Sequence, residues 1–394
     1  MKKTLMACAA VLAVGGAVAA ENNVTIYGVA DIYAGRTSSY AYTGYDLLAT
    51  GAGGQIGAFQ AARTNQMVID SGGLSRSRIG LRVNEDLGAG KTGFVVVESG
   101  VNLDTGTGSG SRTAVVGLKS AVGTFSVGRQ ASPYHDAFSA LSAQSDSRFD
   151  AAKGRAMAVG DINAIAALRT YVNLPANIGL DPATDIAYQG LLARALTAAN
   201  TVTGATGAWS GYKERISNSI RYDSPDFNGF SGSAVIGLGE NRKPGEKASY
   251  DAGFSVNYAN GPMALTLAHQ TEGNQLPAGS VIPAGSLVKL TNTLVGGAYD
   301  FGVAKLHAGF NVAKYNITGV KTQKELLIGA SMPVGAATLV AQYARSQGDN
   351  KTDSFGLEAH YALSKRSTAY AGANMTKLPS YKNNAVGFGL RHVF

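Results

Sequence analysis

A regular alternation of apolar and polar residues restricts the fold of this chain more than any other feature. In residues 249–259 the side chains divide into two sets with a period of two. One set is Tyr250, Ala252, Phe254, Val256 and Tyr258, and the other is Ser249, Asp251, Gly253, Ser255 and Asn257. Successive side chains of a β-strand point to opposite faces, so this period predicts a strand with one apolar and one polar face. Residues 354–364 repeat the pattern.

Segments of this kind recur along the whole chain. About sixteen can be counted, at 24–36, 75–87, 91–103, 112–121, 124–130, 215–224, 229–240, 248–259, 262–272, 287–301, 303–316, 322–334, 337–347, 352–364, 367–378 and 384–394. Tight turns such as 88–90 and 335–336 alternate with longer links such as 37–74, 131–214 and 273–286. An even strand number, with short turns at the periplasmic end and long loops at the other, is typical of bacterial outer-membrane barrels.

Composition favours a membrane barrel over a soluble β-protein. Charged residues are 15% of the chain, against about 25% in soluble domains, and no apolar run after residue 20 is long enough for a spanning helix. Hydrocarbon offers backbone groups no hydrogen-bond partner, so a sheet in a bilayer must close on itself. We therefore predict an all-β fold, a sixteen-stranded antiparallel transmembrane β-barrel with an aqueous lumen. A soluble propeller or sandwich explains the strands and the 51 glycines, but not the low charge.

The N-terminus carries the pattern of a secretory signal. Two lysines precede an apolar run over 5–20 that ends in small residues, which predicts a signal peptide at 1–20 and a mature barrel at 21–394. A membrane anchor is the alternative, but the run is short. Cys8 is the only cysteine, so the mature chain can form neither a disulfide nor a thiolate metal site. Loss of Lys2 and Lys3 lowers the formal charge from +8 to +6.

Residues 131–214 interrupt the strand pattern. A structureless connection of 84 residues is improbable in a compact domain, and long connections are usually functional. Asp181 and Pro182 form a helix start before 183–199, and 161–171 is a weaker helical candidate. We therefore expect this segment to be partly ordered and to narrow the lumen of the barrel.

Arginines occupy the polar face of two predicted strands. In residues 76–83 the set Ser77, Ile79, Leu81 and Val83 is expected to face lipid, which directs Arg76, Arg78 and Arg82 into the lumen. In the strand that begins at 215, the set Ile216, Ile220 and Tyr222 is expected to face lipid, which directs Arg215 and Arg221 inward. A lone inward arginine is usually a solvated charge. Several that face one channel are expected to create a positive potential between low-dielectric walls.

Motifs for catalysis and cofactor binding are weak. Residues 88–93 match a glycine-rich phosphate loop in part, but Glu85 stands where a glycine is needed and a strand follows, so we interpret them as a hairpin turn. The five histidines are scattered and form no metal-ligand pair. We expect no enzyme, cofactor, metal or nucleic-acid partner. A barrel hydrolase with a Ser/His site is kept as an alternative.

Several short motifs, taken together, resemble one family. They lie at 23–31, 77–82, 85–88, 98–100, 127–130, 222–230, 363–367 and 389–394, and their order and spacing span almost the whole mature chain. They resemble the trimeric general porins of β-proteobacteria. The resemblance implies a homotrimer in the outer membrane of a Gram-negative bacterium, in contact with lipid and lipopolysaccharide. It also implies passive diffusion of small hydrophilic solutes and ions, with a weak anion preference.

The resemblance also implies a constriction formed by the third loop, which is 131–214 here. The family's constriction residues match Arg78, Arg112, Arg215, Glu98 and Asp136. Arg76, Arg82 and Arg221 are added as pore-lining residues by the strand pattern alone.

Three further observations refine this reading. Arg112 shares its parity with Val116 and Leu118 and would face lipid unless a bulge intervenes. The third loop is longer than the family pattern leads us to expect, so a solute-specific channel is an alternative. The last strand ends in Phe394 and resembles the signal read by the outer-membrane assembly machinery, although a core strand could end the same way.

Overall fold

The chain folds as one antiparallel sheet in which consecutive strands pair, with one exception near the N-terminus. The computed structural model describes residues 23–45, 59–152, 208–209, 211–242, 244, 247–275, 287–316, 321–348, 351–377 and 382–394. The strands are β1 (Asn23–Tyr45), β2 (Phe59–Ser71), β3 (Arg78–Gly88), β4 (Lys91–Asn102), β5 (Thr107–Ser120), β6 (Gly123–Ala131), β7 (Arg215–Asp223), β8 (Phe230–Leu238), β9 (Tyr250–Asn260), β10 (Met263–Gln275), β11 (Leu287–Asp300), β12 (Lys305–Tyr315), β13 (Gln323–Val334), β14 (Ala337–Gln347), β15 (Thr352–Ala362), β16 (Ser367–Lys377) and β17 (Lys382–Val393). One helix, α1 (Pro133–Leu141), is described between β6 and β7.

The sheet closes into a barrel because its first and last strands pair. Val29 of β1 lies opposite Val393 of β17, and the pairing continues to Ser38 and Asn384. On its other side, β1 pairs with β3 through its first half and with β2 through its second half. β2 and β3 thus lie end to end in one strand position. The described strands therefore occupy sixteen positions, which confirms the predicted sixteen-stranded antiparallel barrel.

Alternation along the strands separates a lipid face from an inner face, as predicted. On β15, Phe355 and Leu357 are 41% and 47% exposed, whereas Ser354 and Glu358 are buried. Two of the predicted tight turns are confirmed. Two-residue turns join β3 to β4 and β13 to β14, and the turn at Ala89 and Gly90 has positive φ at both residues. This confirms that residues 88–93 form a hairpin turn.

The predicted link at 37–74 is wrong. β1 continues to Tyr45, and β2 pairs with it from Phe59 to Ser71. Residues 36–39 and 63–66 are polar at every position, so they lack the apolar alternation that marks a lipid-facing strand. Backbone hydrogen bonding between the two strands does not depend on that alternation.

The break between β2 and β3 is organised by the buried carboxylate of Asp31. Its two oxygens accept hydrogen bonds from the backbone N–H groups of Gly73, Leu74 and Ser75, at 2.8 to 3.0 Å. The Tyr370 hydroxyl donates a further bond of 2.5 Å. Ser77 also belongs to this network, and its hydroxyl donates to the Asp31 carbonyl at 2.8 Å. The expectation that Ser77 faces lipid is therefore wrong, because Ser77 lies within the break between β2 and β3 and its hydroxyl is held in this network.

The described parts of the 131–214 segment pack on the inner wall of the barrel. α1 begins at an N-cap, where the Ser132 hydroxyl accepts a hydrogen bond from the His135 N–H at 3.1 Å. Its buried face meets inward-facing wall residues in one apolar cluster. The cluster comprises Tyr134, Ala137, Phe138, Leu141, Ala151, Ala152, Ala208, Trp209, Ala268, Leu294, Leu327 and Ala344. No helix among the described residues has the length and apolarity needed to cross a membrane.

The sequence did contain a signal for α1. Ser132 followed by Pro133 is a helix start of the same kind as Asp181 followed by Pro182, but we did not predict a helix there. The predicted helices at 161–171 and 183–199, and the predicted signal peptide at 1–20, lie outside the described residues.

Candidate functional site

One group of charged side chains on the inner wall is centred on Glu98 of β4. The Arg112 Nε lies 2.6 Å from Glu98 Oε1, and the Arg78 Nε lies 3.5 Å from Glu98 Oε2. The Tyr27 hydroxyl donates to Oε2 at 3.2 Å. The predicted residues Arg78 and Arg112 therefore both contact the predicted residue Glu98, whose carboxylate is shared between their guanidinium groups.

A β-bulge directs Arg112 toward Glu98. Glu98 pairs with Thr113 and Ser99 pairs with Ser111, so Arg112 is an extra residue on β5 with no partner of its own on β4. The bulge shifts the alternation by one position, and Ala114 and Val116 beyond it remain exposed on the lipid face. The bulge explains why Arg112 alternates in sequence with the lipid-facing set that includes Val116 and yet contacts Glu98 inside the barrel.

A second group is centred on Glu214, which the sequence reading did not select. Both carboxylate oxygens accept hydrogen bonds from the Arg76 guanidinium at 2.5 Å, and the Arg215 Nη1 lies 3.3 Å from Oε2. Burial alone would raise the pKa of Glu214, but the hydrogen bonds and charge of Arg76 lower it from 4.5 to about 2. Glu214 therefore remains ionised and holds Arg76 against the start of β7.

Two of the loop aspartates, Asp136 and Asp146, have different surroundings. Asp136 on α1 is nearly half exposed and lies 2.6 Å from Arg221, which also pairs with Asp223 at 2.6 Å. The predicted residues Asp136 and Arg221 thus meet each other. Asp146, by contrast, lies within electrostatic range of Arg76, Arg78 and Arg215. It adopts a left-handed φ of 66° in the loop, and no motif in the sequence had marked it.

The remaining predicted arginine, Arg82, lies beside Tyr27, whose hydroxyl donates to Glu98. Arg82 is exposed and sits over the Tyr27 ring, 5.4 Å from its centroid. Arg391 on β17 was not predicted, yet its charge acts on Arg78. The direction predicted for Ile216 is wrong, since it is fully buried. An extra residue at 217–218 shifts the β6–β7 register there.

Positive charge exceeds negative charge in this region, which we call the arginine wall. It contains five guanidinium groups and three carboxylates, namely Arg76, Arg78, Arg112, Arg215 and Arg391 with Glu98, Glu214 and Asp146. Two positive charges therefore remain unbalanced. A low-dielectric wall strengthens the field of such charges in the adjoining water.

The described histidines provide one Ser/His contact. His392 Nδ1 lies 2.9 Å from Ser367 Oγ. Both residues are at the short-turn rim, and His392 shares the outward-facing side with Leu390 and Phe394. Among the described residues no carboxylate pairs with His392, so a third group to orient the ring is missing from this contact. The described residues also contain no group of His, Cys, Asp and Glu that could hold a metal ion.

Comparisons with known proteins point in one direction. Residues 7–379 match the model of a family described as Gram-negative porin. The chain is 27% identical to an outer membrane porin protein of Bordetella pertussis, covering all of both chains. It is also 27% identical to outer membrane porin protein 32 of Delftia acidovorans, over 100% of this chain and 94% of that protein.

Solved structures share the fold. An anion-selective porin from Comamonas acidovorans superposes with a TM-score of 0.67 at 21% identity, over 95% of this chain and all of that one. The trimer form of OmpT, an outer membrane protein of Vibrio cholerae, gives a TM-score of 0.56 at 13% identity, over 95% and 99%.

Proposed function

Because this chain belongs to the Gram-negative porin family, we propose that its passive conduction of small hydrophilic solutes and ions carries a weak preference for anions. The protein is an outer-membrane porin, as the resemblance in its sequence motifs indicated. The preference for anions is inferred from the arginine wall described above. The observation that carries it is the excess of two positive charges on that wall.

The same wall accounts for the weakness of the preference. Glu98 neutralises part of the field of Arg78 and Arg112, and Glu214 does the same for Arg76. At 0.1 M salt, exposed charges are screened beyond about 10 Å. A small residual charge in an aqueous lumen therefore biases the ion flux without excluding cations. The fold shared with an anion-selective porin is compatible with this proposal.

We place the constriction between the arginine wall and the docked part of the 131–214 segment. Arg78, Arg112, Arg215 and Glu98 form its wall side, as the family resemblance implied. On the loop side we propose Asp146, whose charge acts on Arg78 and Arg215, in addition to Asp136, which pairs with Arg221.

Reversal potentials in planar bilayers under a KCl gradient test the selectivity. We expect a small potential of the sign that indicates anion preference, and we expect Arg78→Glu and Arg215→Glu each to reduce or reverse it, because lumen charges tune selectivity. Arg366→Glu is the matched control, since Arg366 lies in the short turn before β16 and outside the arginine wall. A clear cation preference of the unmodified channel would contradict the proposal. So would equal shifts in all three variants.

We further propose a homotrimer that contacts outer-membrane lipid and lipopolysaccharide and is assembled through its C-terminal strand. A trimer form is stated for OmpT of Vibrio cholerae, whose fold this chain shares. The barrel exposes large apolar side chains on its outer face, such as Val295 and Val386 at 54% and 55%. Native mass spectrometry of the detergent-extracted protein measures the stoichiometry, and a monomer in mild detergent would contradict the trimer.

A second candidate is a channel selective for one class of solute, favoured by the apolar docking of the long third loop on the inner wall. Saturable block of the current by one class of solute would support it over simple sieving. Membership of the porin family favours a channel without enzymatic activity. Hydrolysis of an ester substrate by the purified protein, abolished in Ser367→Ala, would contradict that.

A further inference from the structure

Basic side chains project from the outer face of the barrel, at the strand ends that lie away from the short turns. Six exposed cations lie there, on six of the seven strands from β11 to β17. They are Lys289 on β11, Lys314 on β12, Lys324 on β13, Arg345 on β14, Lys377 on β16 and Lys382 on β17. We call this set the outer basic belt.

Alternation places the outer basic belt on the lipid face and not in the lumen. Lys324 shares its side of β13 with Leu326 and Ile328, which are 38% and 52% exposed, and the residues between these three are buried. In the same way Lys382 shares its side of β17 with Val386, which is 55% exposed. The six cations therefore adjoin the apolar surface that meets hydrocarbon.

The belt lies at the outer edge of the apolar band. From Lys324 to the short turn at Gly335 the chain advances by 11 residues. At a rise of ~3.4 Å per residue and a tilt of about 40°, this is roughly 28 Å along the membrane normal. The apolar band of an outer-membrane barrel is about 25 Å tall, and its long connections are extracellular. The cations therefore lie at the headgroup level of the outer leaflet.

Cross-strand register aligns four strands of the belt in one row. Arg345 lies directly opposite Asp353 of β15, and their side chains form an ion pair of 3.3 Å. Asp353 lies opposite Lys377, which in turn lies opposite Lys382. Directly opposed side chains have Cβ atoms about 4.5–5.5 Å apart, and like charges there are destabilising. An anion bound between Lys377 and Lys382 would relieve this repulsion.

Positive charge in the belt exceeds what the described residues neutralise. Asp353 pairs with Arg345, but none of the five lysines of the belt forms an ion pair with a described residue. Six cations against one carboxylate leave five positive charges. Beyond β17, Arg36 on β1 is also exposed, opposite Val386, and extends this positive surface.

The strand ends on the opposite arc of the barrel carry no comparable set within the described part of the chain. The exposed residues at the corresponding ends of β4, β5 and β8 are Ser99, Ser111 and Leu238. Arg129 on β6 is a cation in a similar position, but its guanidinium donates to the Ser111 carbonyl at 3.0 Å and to Ser217 Oγ at 2.7 Å. The belt is therefore a property of one arc and not of the whole rim.

We propose that the outer basic belt binds the phosphate groups of lipopolysaccharide in the outer leaflet. The acyl chains of the lipid lie along the apolar band, and its phosphates lie between ammonium groups of neighbouring strands, where charge-assisted hydrogen bonds form. Strands are about 4.8 Å apart, so a lipid with several clustered phosphates fits this array better than a phospholipid with one. This inference rests on the lipid contact proposed above and assigns it to particular residues.

Lipid binding to the purified protein in detergent tests this, with native mass spectrometry as the readout. Diphosphorylated lipid A is the probe, and dephosphorylated lipid A and phosphatidylglycerol are the comparisons. We expect the diphosphorylated lipid to bind more tightly than either. The double variant Lys324→Gln with Lys377→Gln should weaken this binding about twentyfold, because each cation near an anionic lipid surface contributes about a fivefold change in affinity.

Two further double variants are the controls. Lys324→Arg with Lys377→Arg keeps both charges and should bind lipid A as the unmodified protein does. Lys365→Gln with Arg366→Gln removes two cations from the short turn before β16, at the opposite end of the barrel, and should leave the affinity unchanged. Heat-modifiable mobility on a gel shows that each variant is folded.

The outcomes distinguish the belt from lipid contact in general. Tight binding of diphosphorylated lipid A that Lys324→Gln with Lys377→Gln leaves unchanged would overturn the role of the belt, while contact with lipopolysaccharide elsewhere would stand. Equally tight binding of phosphatidylglycerol would show a surface for any anionic lipid and would also overturn the proposal. Failure of lipid A to bind at all would contradict the lipopolysaccharide contact as well. KCl reversal potentials report separately on anion preference.

Discussion

Single carboxylates decide how much positive charge the arginine wall presents to a passing ion. Glu98 is shared between Arg78 and Arg112, and Glu214 is held by Arg76 and Arg215. Each carboxylate cancels one positive charge while it fixes the side chains around it. Selectivity and local stability are therefore coupled at these two residues.

Glu98→Gln should strengthen anion preference. The change removes the negative charge between Arg78 and Arg112 while the amide can still accept from the Arg112 Nε. We expect the anion-to-cation permeability ratio to rise about twofold, because salt screens a lumen charge beyond roughly 10 Å. Reversal potentials at two KCl gradients measure it. A fall in the ratio, with normal mobility on an unheated gel, would contradict the charge assignment of the wall.

Glu214 predicts an acid-sensitive step in the stability of the third loop. Its folded-state pKa is lowered from 4.5 to about 2, so the stabilisation is fully present above pH 4.5 and is lost as the pH falls toward 2. We expect a loss on the order of 2 kcal/mol, after allowance for the partial exposure of the pair. Proteolysis of the third loop between pH 5 and pH 2, with an acid-stable protease, measures it. Glu214→Gln should lack this pH dependence, and a step that persists in this variant must come from another group.

At the scale of elements, glycines of the inner wall make room for the third loop. A Cβ added at Gly309 would lie 2.2 Å from Leu141 Cδ2, and one at Gly296 would lie 2.6 Å from the same atom. Gly372 receives the ring of Phe149 in the same manner. The absence of a Cβ at these glycines leaves space on the sheet for the side chains of Leu141 and Phe149. Part of the high glycine content therefore reflects docking of the loop.

Gly309→Ala should displace α1, and Leu141→Ala should relieve the clash. Overpacking at Gly309 is expected to cost about 1–3 kcal/mol, and Leu141→Ala alone about 2–5 kcal/mol through lost packing. The double variant should be less impaired than the sum, since the two side chains are in contact. Trp209, the only tryptophan of the chain, is buried in the same cluster and reports undocking by a red shift of its emission.

The control for this series is Gly232→Ala on β8. An added Cβ there would meet only Ser255 O, at an ordinary distance of 3.5 Å. Its emission spectrum and channel conductance should match those of the unmodified protein. Additive effects in the Gly309 and Leu141 double variant would show that the two residues do not meet.

For the whole molecule, closure of the barrel depends on the pairing of the first described strand with the last. Gly28 and Phe394 exchange two backbone hydrogen bonds of 2.9 and 3.1 Å, and the Phe394 ring lies over Gly28 where a Cβ would lie 2.4 Å from it. The ends of the sheet are therefore joined by backbone pairing, with one aromatic side chain packed over the junction.

Phe394→Ala distinguishes a role of the aromatic side chain in closing the barrel from a role in assembly into the outer membrane. Because the junction bonds are backbone bonds, refolding of the purified chain in detergent should retain most of its yield, measured by heat-modifiable mobility on a gel. If the assembly machinery reads the terminal aromatic, the amount of folded protein in the outer membrane should fall several-fold. An equal loss in both measurements would show that the side chain acts on the barrel itself.

The sequence predicts the strands that have one face in lipid, because apolar and polar residues alternate along them with a period of two. Where both faces are polar, as at 36–39 and 63–66, the signal disappears although the strands remain. Five charged residues of the site follow from the sequence, namely Arg76, Arg78, Arg112, Arg215 and Glu98. Four ion pairs join them to each other or to Glu214.

The register of the strands and the pairing of residues far apart in sequence depend on the tertiary structure. Bulges on β5 and β7 change which face a residue occupies, so Arg112 turns toward Glu98 and Ile216 becomes buried. Asp146 and Glu214 belong to the arginine wall because the docked loop brings them there. Glu214 and Arg76, for example, are 138 residues apart in the sequence, and no local pattern encodes their contact. Alternation of apolar and polar residues is a property of neighbouring residues along the chain. Contact between two charged side chains depends instead on how the closed sheet brings distant strands together.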